Sequence, residues 1–308
     1  MTTGIQIKEI QKKTAKDFWD DLSPESSRFN NSCEIIYRGQ RDASWSLEPS
    51  LLRNEYKPVS RCCGNNESTP PDQQIFYEFR ILQEFVAHCD SASISLPGDS
   101  PDFRKKYLDL DSNKALAKYI FSPNLWPNPE LYQLMAIAQH HGLPTRLLDW
   151  SRRSYVAAYF AASSALQVLN LNARETGQVG SEKKLAVWVL NIESKNLLLD
   201  LDVVSVPSGQ NRNIASQAGC FTVLRQRAAK GKLLEGVHLL DKYIEEQPQP
   251  ESFLLKVTVP VTEAVGILDL CKKYGVTAAT IYPDTYGAAK AAMDEVNVWE
   301  YTERKGVG

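Results

Sequence analysis

The sequence predicts an α+β fold in which a mixed, largely antiparallel sheet packs against a helical N-terminal half. Two observations lead to this prediction. Patterns with helical spacing dominate the middle of the chain, and runs rich in β-branched and aromatic residues dominate its second half. Because the two kinds of element are segregated, an α+β fold is favoured over a doubly wound parallel sheet, which is the second candidate.

The clearest amphipathic helix is predicted over residues 74–89. Ile75, Phe79, Leu82 and Val86 recur there at helical spacing, with polar residues between them. Further helices are predicted at residues 103–121, 128–140, 155–169, 261–273 and 286–296.

Two of these helices frame the most polar part of the chain. Gly142 is placed to end the helix that runs towards His140, because glycine readily takes the left-handed conformation after a helix terminus. Ser151 or Ser154 would cap the Ala-rich helix at residues 155–169. Small apolar residues surround that helix, so we expect it to be buried and closely approached by its neighbours.

Strands are predicted where β-branched and aromatic residues cluster. Residues 33–37 form an apolar run, and Arg38, Gly39 and Gln40 are predicted to follow as a loop that needs glycine's conformational freedom. Other strands are predicted at residues 185–192, 220–224, 253–260 and 277–282.

Length and charge narrow the class of protein. The 308 residues fit one domain, residues 1–308, whose motif-bearing core spans residues 35–292. With 35 basic and 37 acidic residues the formal net charge is −2, which disfavours general nucleic-acid binding. The apolar stretches fall short of the ~20 residues of a membrane span and no secretory signal is evident, so we expect no membrane partner and a cytoplasmic location.

Cysteine and histidine spacing gives little indication of metal binding. In the cytoplasm the cysteines would stay reduced, and they lack the paired spacing of zinc sites. They are Cys33, Cys62, Cys63, Cys89, Cys220 and Cys271. The adjacent His140 and His141 with Asp149 form the one available ligand cluster, so no metal is expected.

The first candidate site is the YRGQ motif at residues 37–40. An arginine at a strand end beside glycine can present its guanidinium fork to a phosphate or carboxylate while the neighbouring backbone comes close. The alternative is an ordinary surface Arg38 beside a turn glycine.

The second candidate site is residues 139–151, where imidazoles, a guanidinium, a carboxylate and hydroxyls surround a helix end and the following turn. His140 and His141 would point about 100° apart on a helix, so at most one acts on a given substrate atom. Either could instead cap a helix or pack in the core. Asp149 either takes part in catalysis or fixes the loop, by capping the next helix or pairing with Arg146.

Nucleophilic catalysis has weaker support. Ser151, His140 and Asp149 could form a Ser/His/Asp set, but no GxSxG elbow marks the serine. Cys89 lies next to His88, on a predicted amphipathic helix.

A third group of polar residues precedes the predicted strand at residues 220–224. Amides at residues 211–213 and at Gln217 could hydrogen-bond a sugar or base, and Gly219 could admit a ligand to the backbone, with local turn chemistry as the alternative. Basic residues that could steer an anion, or merely form a solvated loop, follow: Arg225, Arg227, Lys230 and Lys232.

Together these segments resemble the FRG domain, named for an (F/Y)RG motif. The resemblance rests on YRG at residues 37–39 and on the run AQHHGLPTRLLDWS at residues 138–151 with AAYFA at residues 157–161. The segments SQAGCFT at residues 216–222 and GVTAATIYPD at residues 275–284 add to it. The resemblance implies a fold but no settled activity, so function must be argued from the site.

A weaker likeness points to ADP-ribosyltransferases of the Arg/Ser/Glu type, and to their fold. It implies that Arg38 holds the phosphate or ribose of NAD and that Ser151 positions the nicotinamide ribose. The carboxylate that these enzymes place on a late strand is not evident, and Gln217 stands in that region. A charged stabiliser would then come from Asp149, Glu78 or another acid.

The resulting hypothesis is a pocket that binds a phosphate-bearing nucleotide, with NAD as the hypothesised cofactor, and supports ADP-ribosyl transfer or NAD hydrolysis. A toxin or phage-defence role would add a protein target or antitoxin as partner. The expected catalytic residues are Arg38, His140, Asp149, Ser151 and Gln217. The expected cofactor-binding residues are Tyr37, Arg38, Gly39, Gln40, Arg146, Trp150 and Tyr159. A non-catalytic nucleotide-sensing or interaction module is the alternative, and a metal-dependent phosphodiester hydrolase is the third candidate.

Overall fold

The strands form one twisted layer through the middle of the molecule. A computed structural model describes residues 7–26, 34–53, 70–108, 114–177, 182–193, 195–205, 216–227 and 239–306. The strands are β1 (Lys8–Gln11), β2 (Ile35–Gln40), β3 (Leu148–Ser151), β4 (Lys184–Asn191), β5 (Leu201–Val204), β6 (Gly219–Leu224) and β7 (Leu254–Pro260). Within these ranges they make a seven-stranded sheet in the order β1-β7-β4-β2-β3-β6-β5.

Strand pairing confirms the predicted mixed, largely antiparallel sheet. β1 pairs with β7 in parallel, and every other neighbouring pair among the described strands is antiparallel. β2 pairs with β4 along its whole length, but it meets β3 only through Tyr37 and Ser151. The two strands therefore diverge beyond this point, which leaves space at the Arg38 end of β2.

Helices cover the sheet and continue beyond it. They are α1 (Ala15–Leu22), α2 (Pro71–Ser91), α3 (Pro101–Phe103), α4 (Lys114–Phe121), α5 (Tyr132–His140), α6 (Ser154–Thr176), α7 (Leu240–Glu245), α8 (Ala264–Lys273), α9 (Ala278–Ile281) and α10 (Thr285–Gly306). None of the described helices combines the length and the apolar content that crossing a bilayer requires.

Three apolar clusters hold these layers together. One face of the sheet, with Tyr37 and Val187, packs against α1, α6, α8 and α10. The opposite face, with Ile36 and Trp188, packs against α7. The third cluster joins α2, α4 and α5 to one another and to Phe221 of β6. The helical N-terminal half therefore packs on the sheet, as the sequence predicts.

Gly39 belongs to β2 and not to the predicted loop. All of residues 37–40 pair with β4, so the strand extends to Gln40. A Cβ atom on Gly39 would lie 2.0 Å from the main-chain oxygen of Ala157 and 2.9 Å from the nitrogen of Ala161. Glycine is needed here because the backbone of α6 rests directly on the strand, which confirms the expected close approach to the Ala-rich helix.

Some predicted elements are wrong. Residues 277–282 were expected as a strand, but α9 occupies this place, because Thr277 and Thr280 form a reciprocal capping box. The single helix predicted at residues 103–121 is replaced by α3, a π-helical turn at Arg104–Leu108 and α4, with residues 109–113 outside the described part. The short strand β3 was not predicted.

Candidate functional site

A cavity of about 680 Å³ opens where β2 and β3 diverge. Its walls come from β2, β3, the ends of α5 and α6, and the segment that joins α9 to α10. The lining residues are Tyr37, Arg38, Gly39, His140, Asp149, Trp150, Ser151, Ala157, Phe160, Gln217, Tyr282, Asp284 and Tyr286. The fold thus brings the YRG motif, the DWS run and Gln217 together around one space.

Arg38 is the arginine of this cavity. Its side chain is 12% exposed, and Nη1 donates to the main-chain oxygen of Asp149 at 2.6 Å. The same nitrogen lies 3.6 Å from Oδ2 of Asp149. The buried Nε has no hydrogen-bond partner among the described residues. Burial lowers the pKa of Arg38 below its ordinary value, and the Asp149 charge acts in the opposite direction.

Asp149 lies at the cavity rim. Its side chain is 63% exposed, and Oδ1 accepts a hydrogen bond from Nε2 of Gln139 at 2.6 Å. Thr145 Oγ1 donates to Oε1 of Gln139, which fixes the amide orientation. Of the two roles left open for Asp149, the structural one predicted a helix cap or a pair with Arg146, but the ion-pair partner of Asp149 is Arg38. The carboxylate is thus oriented while it stays open to solvent.

Ser151 ties β3 to the loop before β6. Its Oγ donates to the main-chain oxygen of Gln217 at 2.7 Å and accepts from the Arg153 amide at 2.9 Å. The helix α6 has Arg153 as its N-cap without a side-chain capping bond, so neither Ser151 nor Ser154 caps it as expected. Because the Ser151 hydroxyl donates its proton to the main chain of Gln217, it helps to hold Gln217 at the cavity wall.

His140 faces the cavity from the C-terminal end of α5. Partial burial, and then the neighbouring His141, lower the pKa of His140 below its ordinary value. The two imidazole rings stand nearly perpendicular, with centroids 5.1 Å apart. Gly142 has a φ of +91°, which confirms its place as the glycine that ends the helix. One of the two histidines therefore reaches the cavity, as the helical geometry predicts.

Another wall of the cavity is aromatic and acidic. Tyr282 and Tyr286 make an edge-to-face contact at 5.4 Å, and Phe160 contacts Tyr282 at 6.3 Å. Burial raises the pKa of Tyr282 to about 12. Oδ1 of Asp284 accepts the Gly287 amide proton at 2.9 Å and so fixes the start of α10. This wall therefore offers aromatic rings and a carboxylate to a ligand.

Close backbone packing and one hydrogen bond hold this wall in place. A Cβ atom on Gly287 would lie 1.9 Å from the main-chain oxygen of Tyr282. Ser216 Oγ donates to the main-chain oxygen of Ile281 at 2.6 Å, which ties the Gln217 loop to the end of α9. Gln217 and Tyr282 are thereby held on one side of the cavity.

Arg146, expected to bind a cofactor, does not line the cavity. Its side chain is 1% exposed and forms an ion pair with Glu78, which is 3% exposed. Nε of Arg146 lies 2.9 Å from Oε2 of Glu78, and Nη1 lies 2.8 Å from Oε1 of Gln226. Trp126 Nε1 also donates to Glu78, at 2.8 Å. Each guanidinium nitrogen of Arg146 has a partner in this buried centre, which does not fit a ligand-binding role for Arg146 or a catalytic role for Glu78.

Two further expected residues lie outside the cavity lining. The Gln40 amide donates to the main-chain oxygen of Ser46 at 3.1 Å and accepts from Trp188 Nε1 at 2.7 Å, so it joins strands. The Tyr159 hydroxyl donates to Asp294 on α10. Both side chains are buried, which suits a structural role better than the expected contact with a cofactor.

Several expected features fall beyond the described residues. Residues 211–213, Lys230, Lys232, Cys33, Cys62 and Cys63 lie there. The three described cysteines are buried, and burial raises the pKa of each thiol, in Cys220 to about 11 and in Cys271 to about 12. In the described part of the chain no group of three or more His, Cys, Asp or Glu side chains could hold a metal ion.

The fold and the cavity define the chain as a mixed α/β protein with a polar cleft at a strand divergence. The family model of the FRG domain matches residues 33–168. The chain therefore contains an FRG domain, and YRG, the central run and AAYFA all fall within it. Searches of curated proteins and of solved structures found no significant match.

Sequence reasoning missed part of the cavity wall. Phe160, Tyr282, Asp284 and Tyr286 line the cavity but were not singled out as site residues. A signal existed, because Tyr282 and Asp284 end the GVTAATIYPD segment that carries part of the resemblance. The cavity also extends beyond residues 33–168, which the FRG model matches. The lining residues that lie later in the chain are Gln217, Tyr282, Asp284 and Tyr286.

Proposed function

We propose that the cavity binds a phosphate-bearing nucleotide, with NAD as the ligand, and that the protein transfers ADP-ribose or hydrolyses NAD. The proposal rests most directly on Arg38. Its buried Nε lacks a hydrogen-bond partner among the described residues, although its guanidinium lines an open cavity. Since a buried, incompletely paired cation is costly, an entering anion would stabilise it.

The size and composition of the cavity are compatible with a nucleotide. A volume of about 680 Å³ lies within the range of small-molecule and cofactor sites. Aromatic rings on the walls can stack on a base or a nicotinamide, while Arg38 offers a bidentate donor to phosphate. The exposed carboxylate of Asp149 can accept hydrogen bonds from ribose hydroxyls.

In this proposal the bond that breaks joins C1′ of the ribose to the nicotinamide nitrogen. The bonding electrons leave with nicotinamide, and C1′ gains a bond to water or to a nucleophile of the target, whose proton is released. Positive charge develops on the ribose in the transition state, so a nearby carboxylate is stabilising. Asp149 and Asp284 are the carboxylates that line the cavity, and they replace Glu78 as candidates for this role.

The second candidate is a nucleotide-sensing module without turnover, which is favoured because the uncharged Gln217 stands in the region where Arg/Ser/Glu transferases carry a carboxylate. The Ser151 proton is donated to the main-chain oxygen of Gln217, and the oxygen accepts from Arg153. A hydroxyl held in this way is a positioning group rather than a nucleophile. Ligand binding and catalysis therefore need separate measurements.

The binding test compares NAD affinity of the full chain with that of Arg38→Ala and Arg41→Ala by calorimetry. Arg41 is an exposed arginine close to β2 that lies over Trp45 rather than in the cavity, so it is the matched control. We expect Arg38→Ala to weaken binding about tenfold or more and Arg41→Ala to leave it unchanged. Equal effects of the two variants, or no binding by the unmodified chain, would contradict the proposal.

The turnover test incubates the binding-competent chain with NAD and follows products by mass spectrometry. Free nicotinamide with ADP-ribose indicates hydrolysis, and a mass increase on a protein indicates transfer. Asp149→Asn and Asp284→Asn, which keep the shape of each side chain, should slow the reaction if a carboxylate stabilises the transition state. Tight binding without products would favour the sensing module.

A toxin or phage-defence role is a further part of the proposal. Consumption of NAD would stop growth of the producing cell unless a partner restrained it. Induced expression of the unmodified chain should therefore lower cellular NAD and slow growth, while Arg38→Ala should do neither. Normal growth and unchanged NAD at equal expression would remove support for this role.

A further inference from the structure

The charges that line the cavity do not match a polyanion alone. Among the described residues that line the cavity Arg38 is the cation, whereas Asp149 and Asp284 both contribute carboxyl groups. A site that bound only phosphates would be expected to carry an excess of positive charge. Because these acidic side chains outnumber the basic one, a ligand with positive charge on one part would be favoured.

The two carboxylates have different surroundings. Oδ2 of Asp149 lies 3.6 Å from Arg38, so its charge is partly compensated within the cavity. Asp284 forms no ion pair with any residue in the described ranges, and only its Oδ1 is engaged, by the Gly287 amide. Of the two carboxylates, the one without an ion pair among the described residues therefore lies on the wall formed by Tyr282, Asp284 and Tyr286.

Aromatic rings line the cavity together with this carboxylate. Tyr286 stands at 85° to Tyr282, and Phe160 stands at 75° to Tyr282. Perpendicular rings expose a π-face beside an edge, and a π-face attracts cations. Tyr286 is 62% exposed, so its ring is accessible to a ligand.

We infer that Tyr282, Asp284 and Tyr286 form a subsite for a cationic aromatic ring, so that the preferred ligand is a dinucleotide whose nicotinamide is an oxidised pyridinium. This inference rests on the proposed function, and it assigns the two ends of the ligand to different walls of the cavity. Arg38 holds a phosphate, and the aromatic and acidic wall holds the positively charged ring. NADH has the same phosphates but an uncharged dihydronicotinamide, so it satisfies only the Arg38 wall.

The experiment measures the affinities of NAD⁺ and NADH for the full chain by calorimetry under identical salt and pH. We expect NAD⁺ to bind about fivefold or more tightly than NADH, as a cation–π contact with a supporting carboxylate predicts. Arg38→Ala should weaken both ligands by a similar factor, because both carry the phosphates.

Variants of the wall make the test specific. Asp284→Asn keeps the oxygen that accepts the Gly287 amide and removes the charge, and it should reduce the preference for NAD⁺ towards equality. Tyr286→Leu should do the same, and Tyr286→Phe, which keeps the ring, should retain the preference. Glu303→Gln removes an exposed carboxylate elsewhere on α10 and is the control that should leave both affinities unchanged.

The outcomes separate this inference from the proposed function. Equal binding of NAD⁺ and NADH, weakened in both cases by Arg38→Ala, would overturn the cationic subsite and leave the nucleotide site standing. A preference for NAD⁺ that survives both Asp284→Asn and Tyr286→Leu would also overturn the subsite. No binding of either ligand would overturn both proposals.

Discussion

Arg38 and Arg146 both lie within the residues matched by the FRG domain, yet their surroundings differ. Arg146 lies in an ion pair with Glu78, reinforced by Gln226, and its side chain is 1% exposed. Arg38 is 12% exposed, donates to a main-chain oxygen, and has an Nε without a partner in the described structure. Each guanidinium nitrogen of Arg146 has a partner within the protein. The guanidinium of Arg38 lines an open cavity, and its Nε has no partner among the described residues.

This difference shows how a structural arginine can be told from a candidate ligand-binding one. Both stand in sequence segments that resemble the same family, so motif membership does not distinguish them. The two arginines are distinguished by how many of their guanidinium donors have a hydrogen-bond partner within the protein. A buried donor without a partner carries a free-energy cost that a ligand can relieve. The predictions below test this distinction.

The largest effect is expected from Arg146→Ala. This variant would leave the buried carboxylate of Glu78 without a cation and should lower the free energy of unfolding by about 3–5 kcal/mol. Urea denaturation measures this change in the free energy of unfolding. Lys16→Ala, which removes an exposed ion pair with Asp20, should have little effect.

A double variant sharpens this test. Replacing Arg146 and Glu78 together by methionine removes both charges, so it should recover part of the stability lost in Arg146→Ala. A loss as small in Arg146→Ala as in Lys16→Ala would contradict the structural role of Arg146.

The next effect is expected from Gly39→Ala beside Arg38. The added methyl group would lie 2.0 Å from the main-chain oxygen of Ala157, so α6 would have to move away from β2. We expect a loss of about 3 kcal/mol, at the upper end of the range for overpacking, measured by urea denaturation. Gly306→Ala, where no atom lies within 4 Å of the new Cβ, is the control and should change stability by less than about 1 kcal/mol.

Arg38→Ala should cost less stability than either variant. It removes the hydrogen bond to the Asp149 main-chain oxygen but also relieves the burial of an incompletely paired cation. These effects oppose each other, so we expect a net loss of roughly 1 kcal/mol in urea denaturation. A loss in the free energy of unfolding equal to that of Arg146→Ala would mean that the two arginines stabilise the fold equally. That result would contradict the proposed difference between them.

The smallest effect concerns pH and His140. Since the pKa of His140 is lowered in the folded protein, the unfolded chain binds a proton more readily. The contribution of His140 to stability is therefore fully present above the ordinary pKa of about 6.5 and is lost as the pH falls towards the folded value. His140→Gln should reduce the drop in urea midpoint between about pH 7.5 and pH 5.5. His88→Gln, at an exposed position, is the matched control variant for this measurement.

Local patterning predicted much of the fold. The helix expected at residues 74–89 lies within α2, and the strand expected at residues 253–260 corresponds to β7. Periodicity succeeds in such elements because one side of each is buried against a neighbour. It failed for β3, whose four residues are too few to show a pattern, and for α9, where Thr277 and Thr280 stabilise a helical turn despite their β-branched character.

The candidate site was less predictable than the fold. The sequence indicated Arg38, Asp149 and Gln217, and the structure places all of them at one cavity. Arg146 was expected at the same site, but the structure pairs it with Glu78, which lies 68 positions away, and nothing local in the sequence reveals this pairing. The roles of the cavity residues in binding and catalysis stay predictions.

The pairing of β2 with β4 bears on how this protein can be dissected. β2 belongs to residues 33–168, whereas on that side of the sheet β4 and β7 come later in the chain and the edge strand β1 comes before it. A fragment cut at the limits of the family match would carry β2 with a bare hydrogen-bonding edge and would tend to self-associate. Shortened versions for expression should therefore keep the chain intact at least through α10. The residues matched by the family model end before the strands β4 and β7, with which this side of the sheet is built.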